Sequence, residues 1–166
     1  MNNKAQTIIH PIPPTFDKHS RVLILGSFPS VKSREMMYFY GHPQNRFWKV
    51  MAGLFQEDVP MTVEQRHGFL LRNRIAAWDS IRQCTIIGSS DSSIKDVIPN
   101  DLSPILSAAP IEMICCNGKK SWEMYHKYIE PESKVPALAL PSTSPANAAW
   151  SLERLIDAWK IILPND

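Results

Sequence analysis

Apolar residues gather in short unbroken runs rather than in strict alternation. Val22-Leu-Ile-Leu25 is closed by Gly26, Ile111-Glu-Met-Ile-Cys-Cys116 by Asn117-Gly118, and Ala137-Leu-Ala-Leu140 by Pro141. Runs of this length suit strands buried on both faces, as in a parallel sheet. Ile75 to Ile81 is a further candidate strand. Between the runs the pattern takes the helical period. A helix is expected from near Asn45; Thr62 with Gln65 forms a capping box that opens another, running to about Arg72. Short helices are expected from Asp101 to Ala108 and from Asn117-Gly118 toward Ile129. Leu152, Leu155, Ile156, Trp159, Ile162 and Leu163 fall on one helical face. The stretches Ser27–Gln44 and Gly88–Ser93 read as loops, and residues 1–20 as an extended lead-in. Strands alternating with helices predict an α/β fold: three αβα layers around a central, mostly parallel four-stranded sheet. Residues 1–166 are expected to form one domain.

Composition narrows the function classes. With 44% hydrophobic residues and a net charge of +2, the chain can build a sizeable core and is not a strongly basic nucleic-acid coat. The longest apolar stretches are far short of the roughly 20 residues that span a bilayer, and the N-terminus lacks a signal-peptide pattern. The expectation is a cytoplasmic monomer. Charge position is more telling than charge total. Lys32, Arg34, Arg46 and Lys49 stand against a single acid, Glu35, and are interleaved with Tyr38, Phe39, Tyr40, Phe47 and Trp48. That mixture suits phosphates and bases; composition alone favours a solvated loop followed by an ordinary amphipathic helix. Cys84, Cys115 and Cys116 lack a C-x-x-C pattern and read as reduced core thiols, too few for a four-thiolate cluster. His10, His19, His42, His67 and His126 lack metal-ligand spacing, so no metal and no cofactor are expected, and all but His42 read as surface or structural.

In open parallel sheets, ligands bind beyond the carboxyl ends of the strands. Three segments occupy such ends. The first is Gly26-Ser27-Phe28-Pro29-Ser30, leading to Tyr40-Gly41-His42-Pro43-Gln44-Asn45-Arg46-Phe47-Trp48-Lys49. The second is Cys116-Asn117-Gly118-Lys119, which is also the pattern of a plain Asn-Gly turn feeding a helix. The third is Leu140-Pro141-Ser142-Thr143-Ser144-Pro145-Ala146-Asn147, a stiff polar loop able to grip phosphates and also able to cap a helix through Asn147. Asp79, the one acid on an otherwise apolar run, fits either a structural carboxylate or a group that orients a neighbour or assists water. No G-x-S-x-G elbow and no P-loop is present.

In type, order and placement these segments resemble the uracil-DNA glycosylase superfamily, in its hypoxanthine-DNA glycosylase branch, which is related to the mismatch-specific and thymine-DNA glycosylases. Asn45-Arg-Phe-Trp-Lys49 carries the most specific part of the match. Phe28 departs from the mismatch-specific branch, which has Asn there, and from the uracil branch, which has Asp; a phenyl ring cannot position water by hydrogen bonding. The final loop also lacks the His of the uracil branch, and the iron–sulfur branches' four cysteines are missing. The resemblance implies DNA as partner, a flipped base, and hydrolysis of its N-glycosidic bond to leave an abasic site. It implies Asn45 as the essential polar residue, holding water and reading the base edge, and Asn117 with nearby backbone N–H groups stabilising the departing base. Gly26, Ser27, Phe28, Pro29, Tyr40 and His42 would surround that base, with Phe28 or one of Tyr38, Phe39 and Tyr40 stacked on it. Ser142, Thr143, Ser144, Pro145 and Asn147 would hold the DNA, supported by Lys49, Arg46 and Lys119. Uracil as main substrate, or a catalytically silent DNA-binding module on the same fold, are the alternatives.

Overall fold

The computed structural model describes residues 4–165. Its strands are β1 (Gln6–Ile9), β2 (Val22–Gly26), β3 (Ile75–Asp79), β4 (Ile81–Ile86), β5 (Lys95–Pro99), β6 (Met113–Asn117) and β7 (Ala137–Leu140). Its helices are α1 (Val31–Met36), α2 (Phe47–Phe55), α3 (Val63–Arg72), α4 (Ser103–Ala108), α5 (Lys119–Met124), α6 (Glu130–Ser133) and α7 (Leu152–Trp159). The main sheet is four-stranded and wholly parallel, in the order β3-β2-β6-β7. Every residue of β2 is buried, as its unbroken apolar run requires of a central strand covered on both faces. One face packs Ile24, Phe47, Met51, Leu155 and Trp159 beneath α2 and α7; the other packs Leu23, Leu25, Ile105, Tyr125 and Ile129. Each such side chain contributes about 1.5–3 kcal/mol when fully buried. These are the expected three layers.

The structure departs from the sequence expectations at several places. A second sheet, antiparallel and three-stranded in the order β1-β4-β5, flanks the main one. The lead-in therefore contains β1, although residues 1–3 lie outside the described part. The expected Ile75–Ile81 strand is two strands: the chain turns at buried Ser80, whose N–H donates to Gly26 O at 2.8 Å, and passes from one sheet into the other. The expected Ser27–Gln44 loop contains α1, capped by Ser30, and Gly88–Ser93 contains a 3-10 turn at Asp91–Ser93. The Thr62–Gln65 capping box is present. Helix α5 runs on through a π-helical turn at Tyr125–Ile129 into α6. Asn147 does not cap α7; Ser151 does, accepting from Arg154 N. Among the described residues no helix is long and apolar enough to cross a membrane.

Candidate active site

Register decides what the strand ends share. Gly26 lies opposite Asp79, and Leu25 opposite Cys116, so Gly26, Asp79 and Asn117 finish at the same edge of the sheet. Above that edge is a cavity of about 290 Å³. It is lined by the turn from Gly26 to Ser30, by Tyr40, His42 and Asn45, by Asp79, Asp91 and Asn117, and by Ser142 to Ala146. All three predicted segments thus converge on one space.

Asn45 is held by a chain of hydrogen bonds with a fixed direction. Its Oδ1 accepts Phe47 N–H at 2.9 Å and the Thr143 hydroxyl at 2.8 Å. That hydroxyl in turn accepts Asn117 Nδ2 at 2.9 Å, and Asn117 Oδ1 accepts Thr143 N–H at 3.0 Å. Backbone amides only donate, so both carboxamides are oriented without ambiguity. Two donors fill the Asn45 oxygen, leaving its NH₂ group as the end offered to the cavity. Asn45 also stands just before α2, whose first turn it ties down through Phe47.

Phe28, Phe39 and Tyr40 line the cavity, and of these Tyr40 is stacked on a second ring. Its ring stacks on Phe47 with centroids 4.0 Å apart and an interplanar angle of 19°, while Tyr38 and Phe39 are buried in the core. The backbone at Tyr40 is left-handed, with φ of 54°. A bulky residue there stores roughly 1–3 kcal/mol of strain. Its hydroxyl is buried and has no hydrogen bond of standard geometry among the described residues, although the Asn117 side chain is close enough to ease its ionisation. Burial foremost, then the charge of Asp79, drives its ionisation far above the usual phenol range, so it remains a donor.

Two carboxylates complete the wall. Asp79 is buried, and its Oδ2 lies 2.7 Å from His10 Nε2. His10 Nδ1 accepts Ile12 N–H at 3.2 Å, so the ring hydrogen is on Nε2 and is donated to Asp79. Asp91 accepts the Ser27 hydroxyl at 2.9 Å; desolvation lifts its carboxyl above the usual range, against the pull of Ser27 and Lys120. His10 and Asp91 escaped the sequence reading. His10 belongs to a proline-rich lead-in, and only the pairing of β1 with β4, prolonged by His10 N–H to Arg82 O, brings it beneath the cavity.

Other residues sit differently from expectation. Thr143 is fully buried and spends its hydroxyl between two asparagines, which it connects. Asn117 commits its amide oxygen and one N–H to Thr143. Phe28 borders the cavity, but its ring packs with Ile81, Cys84 and Ile86, edge-on to His10 and under Arg34. Asn147 lies outside the cavity and donates to Ser142 O at 3.0 Å. Arg46 directs its guanidinium at the carbonyls of Ser144, Asn147 and Trp150, which pins the final loop. Lys49 and Lys119 are solvent-exposed outside the cavity, Lys119 at 3.9 Å from Glu123. Ser142 and Ser144 each accept a backbone N–H two residues on, which stiffens that loop. His42 does the same for Gln44 N–H through Nδ1. All three cysteines are buried and free, and burial pushes the thiols of Cys115 and Cys116 up to about 12.

Comparison with known proteins points one way. The family model of the uracil DNA glycosylase superfamily matches residues 13–162. A hypoxanthine DNA glycosylase of Methanosarcina acetivorans is 36% identical over 146 residues, which cover 86% of this chain and 90% of that protein. Its namesake in Methanosarcina barkeri is 36% identical over 113 residues, 67% of this chain and 72% of that one. A solution NMR structure from Methanosarcina acetivorans, described among the uracil DNA glycosylases, superposes with a TM-score of 0.78 at 33% identity, covering 93% of this chain and 96% of that one.

Proposed function

The chain belongs to the uracil DNA glycosylase superfamily, and from that membership and its cavity we propose that it excises a deaminated base, hypoxanthine foremost, by hydrolysing the N-glycosidic bond in DNA. One observation carries the reading: Asn45 offers the cavity N–H donors and no acceptor, because Thr143 and Phe47 N–H fill its oxygen. Deamination turns an exocyclic amine, a donor, into a carbonyl, an acceptor. Hypoxanthine presents O6 and N7 acceptors where adenine presents an N6 donor beside N7. A donor-only amide at that edge therefore accepts the damaged base and leaves adenine with two donors facing each other. Unmet polar groups in a dry site reject a competitor strongly, by about 10⁴-fold or more in favourable cases.

The same donors assist the chemistry. As the bond to C1′ breaks, negative charge collects on the departing base, and a preorganised donor at its edge contributes about 3 kcal/mol. Tyr40, backed by Phe47, offers its other face for stacking. The cavity is at the small end of ligand sites, the size for one flipped base. Ser142 to Ala146, anchored by Arg46, would face the flanking DNA. Uracil remains a second reading, since its O4 meets the same donors.

The test is base release from duplexes carrying deoxyinosine, deoxyuridine, a G·T mispair or undamaged deoxyadenosine. Release of hypoxanthine, reduced about 10²–10³-fold in Asn45→Ala, is expected. Binding with no release from any duplex would leave a silent DNA-binding module instead.

A further inference from the structure

We infer that Asp79, held in place by His10, is the group that positions and deprotonates the attacking water, the task Phe28 cannot perform. This rests on the glycosylase reading above and adds to it the origin of the nucleophile.

The argument is one of available acceptors. An attacking water must donate a hydrogen to the protein, and both acceptor positions of Asn45 Oδ1 are already taken. Asn117 Oδ1 receives Thr143 N–H and keeps one acceptor position, but a neutral amide is a far weaker base than a carboxylate; His42 Nδ1 receives Gln44 N–H, which leaves His42 with a donor at Nε2. The carboxylates lining the cavity are Asp79 and Asp91. Asp91 accepts the Ser27 hydroxyl on Oδ1, and desolvation raises its carboxyl above the usual range. Asp79 receives His10 Nε2–H on Oδ2, and no donor among the described residues reaches its Oδ1.

The surroundings are built for that oxygen. A Cβ placed on Gly26 would stand 2.4 Å from Asp79 Oδ1 and 3.3 Å from the Tyr40 hydroxyl, so the missing side chain at Gly26 makes the room Oδ1 occupies. The buried Tyr40 hydroxyl, which has no hydrogen bond of standard geometry among the described residues, flanks the same point and can hold the water's oxygen. His10 receives Ile12 N–H on its other nitrogen and is packed edge-on between Phe28 and Trp78, so ring and carboxylate are both fixed. A carboxylate at this point also offsets positive charge gathering on the sugar.

The step balances simply. The water oxygen forms a bond to C1′ as the C1′–N9 bond breaks, and the bonding pair leaves with the base. One water proton passes to Asp79 Oδ1 and is then released to the departing base or to solvent, restoring the carboxylate.

The experiment is single-turnover cleavage of a deoxyinosine duplex by Asp79→Asn, His10→Gln and His10→Phe, with equilibrium binding of an abasic-site duplex measured in parallel. Asp79→Asn is expected to cleave about 10²–10³-fold more slowly, with abasic-site binding close to that of the parent protein. His10→Gln keeps a donor near the ring Nε2 and should retain a rate within about tenfold, whereas His10→Phe should fall by about 10–100-fold, as orienting partners do. Asp79→Asn cleaving at the parent rate while Asn45→Ala is inactive would overturn this inference and leave the glycosylase reading intact. A parent protein inactive on every base would overturn that reading itself, and this inference with it. Should Asp79→Asn fail to bind the abasic duplex, the His10 pair decides: equal rates for Gln and Phe would refute a positioning role.

Discussion

Thr143 and Asn45 stand 98 positions apart, yet the buried hydroxyl of Thr143 donates to the Asn45 amide oxygen at 2.8 Å. This contact links the loop after β7 to the start of α2, and it sets which end of the Asn45 carboxamide faces a base. Thr143→Val keeps the shape and removes the hydroxyl. It leaves Asn45 Oδ1 and Asn117 Nδ2 each short of a partner, at about 1–3 kcal/mol for a buried unsatisfied group. Asn45 is then free to turn its oxygen toward the cavity. We expect hypoxanthine release to fall about 10–100-fold, as when an orienting partner is lost, and discrimination against adenine to weaken, while Thr143→Ser stays near the parent. Parallel cleavage assays on deoxyinosine and deoxyadenosine duplexes check both.

Arg46 holds the final loop. Its guanidinium reaches the carbonyls of Ser144, Asn147 and Trp150, and its own N–H donates to Thr143 O at 3.0 Å. Lysine cannot match a planar fork that serves several acceptors. Arg46→Lys should cost about 2 kcal/mol, since hydrogen bonds to charged groups are worth about 1.5–3 kcal/mol, and lower Tm by roughly 4–8 °C. It should also weaken binding to an abasic duplex with no change in the salt slope of that binding, because no phosphate contact is lost. A reduced salt slope would instead place Arg46 on the DNA.

Asp91 contributes to the cavity at some expense of stability. Its carboxyl is raised chiefly by desolvation, so the folded protein binds that proton more tightly than the unfolded chain does. Below the ordinary carboxylate range both states are protonated and no penalty arises. As pH climbs from the ordinary value to the raised one, the folded state loses stability, and above it the loss is constant. Asp91→Asn should therefore stabilise the protein at pH 7, with the gain vanishing in acid below the ordinary carboxylate range. Urea denaturation at the two pH values measures it.

The main sheet was legible because β2, β6 and β7 are runs that name their own burial, and the Thr62–Gln65 box announced α3. The second sheet was not. β1 is largely exposed, β5 is polar and irregularly paired, and the apolar run Ile75–Ile81 continues across the turn at Ser80 that divides β3 from β4. Within the cavity, Asn45 and Asn117 were found by local pattern, since both sit in short motifs at strand or helix ends. That Thr143 connects them is not legible, because nothing in Pro-Ser-Thr-Ser-Pro tells which hydroxyl turns inward. His10 was invisible for a different reason: its position depends on the β1–β4 pairing, which no short motif encodes.

Gly26 supplies a sharp test of how tightly the strand ends are fitted. It takes no left-handed backbone, so Ala is acceptable there on conformational grounds, and the effect of the substitution is steric. The added methyl would stand 2.4 Å from Asp79 Oδ1, inside any allowed contact. The carboxylate is tethered to His10 at 2.7 Å and lies at the end of a strand in register with β2, so it has little freedom to withdraw. The methyl also meets the Tyr40 hydroxyl at 3.3 Å. Overpacking of this kind costs about 1–3 kcal/mol, which a chain of this size can absorb without unfolding. Gly26→Ala should thus remain folded, with Tm lower by roughly 2–12 °C, while hypoxanthine release falls by tenfold or more, since a displacement of about 1 Å at a reacting centre can cost about 10²-fold. A variant as active as the parent, at an unchanged Tm, would mean that Asp79 has room to move.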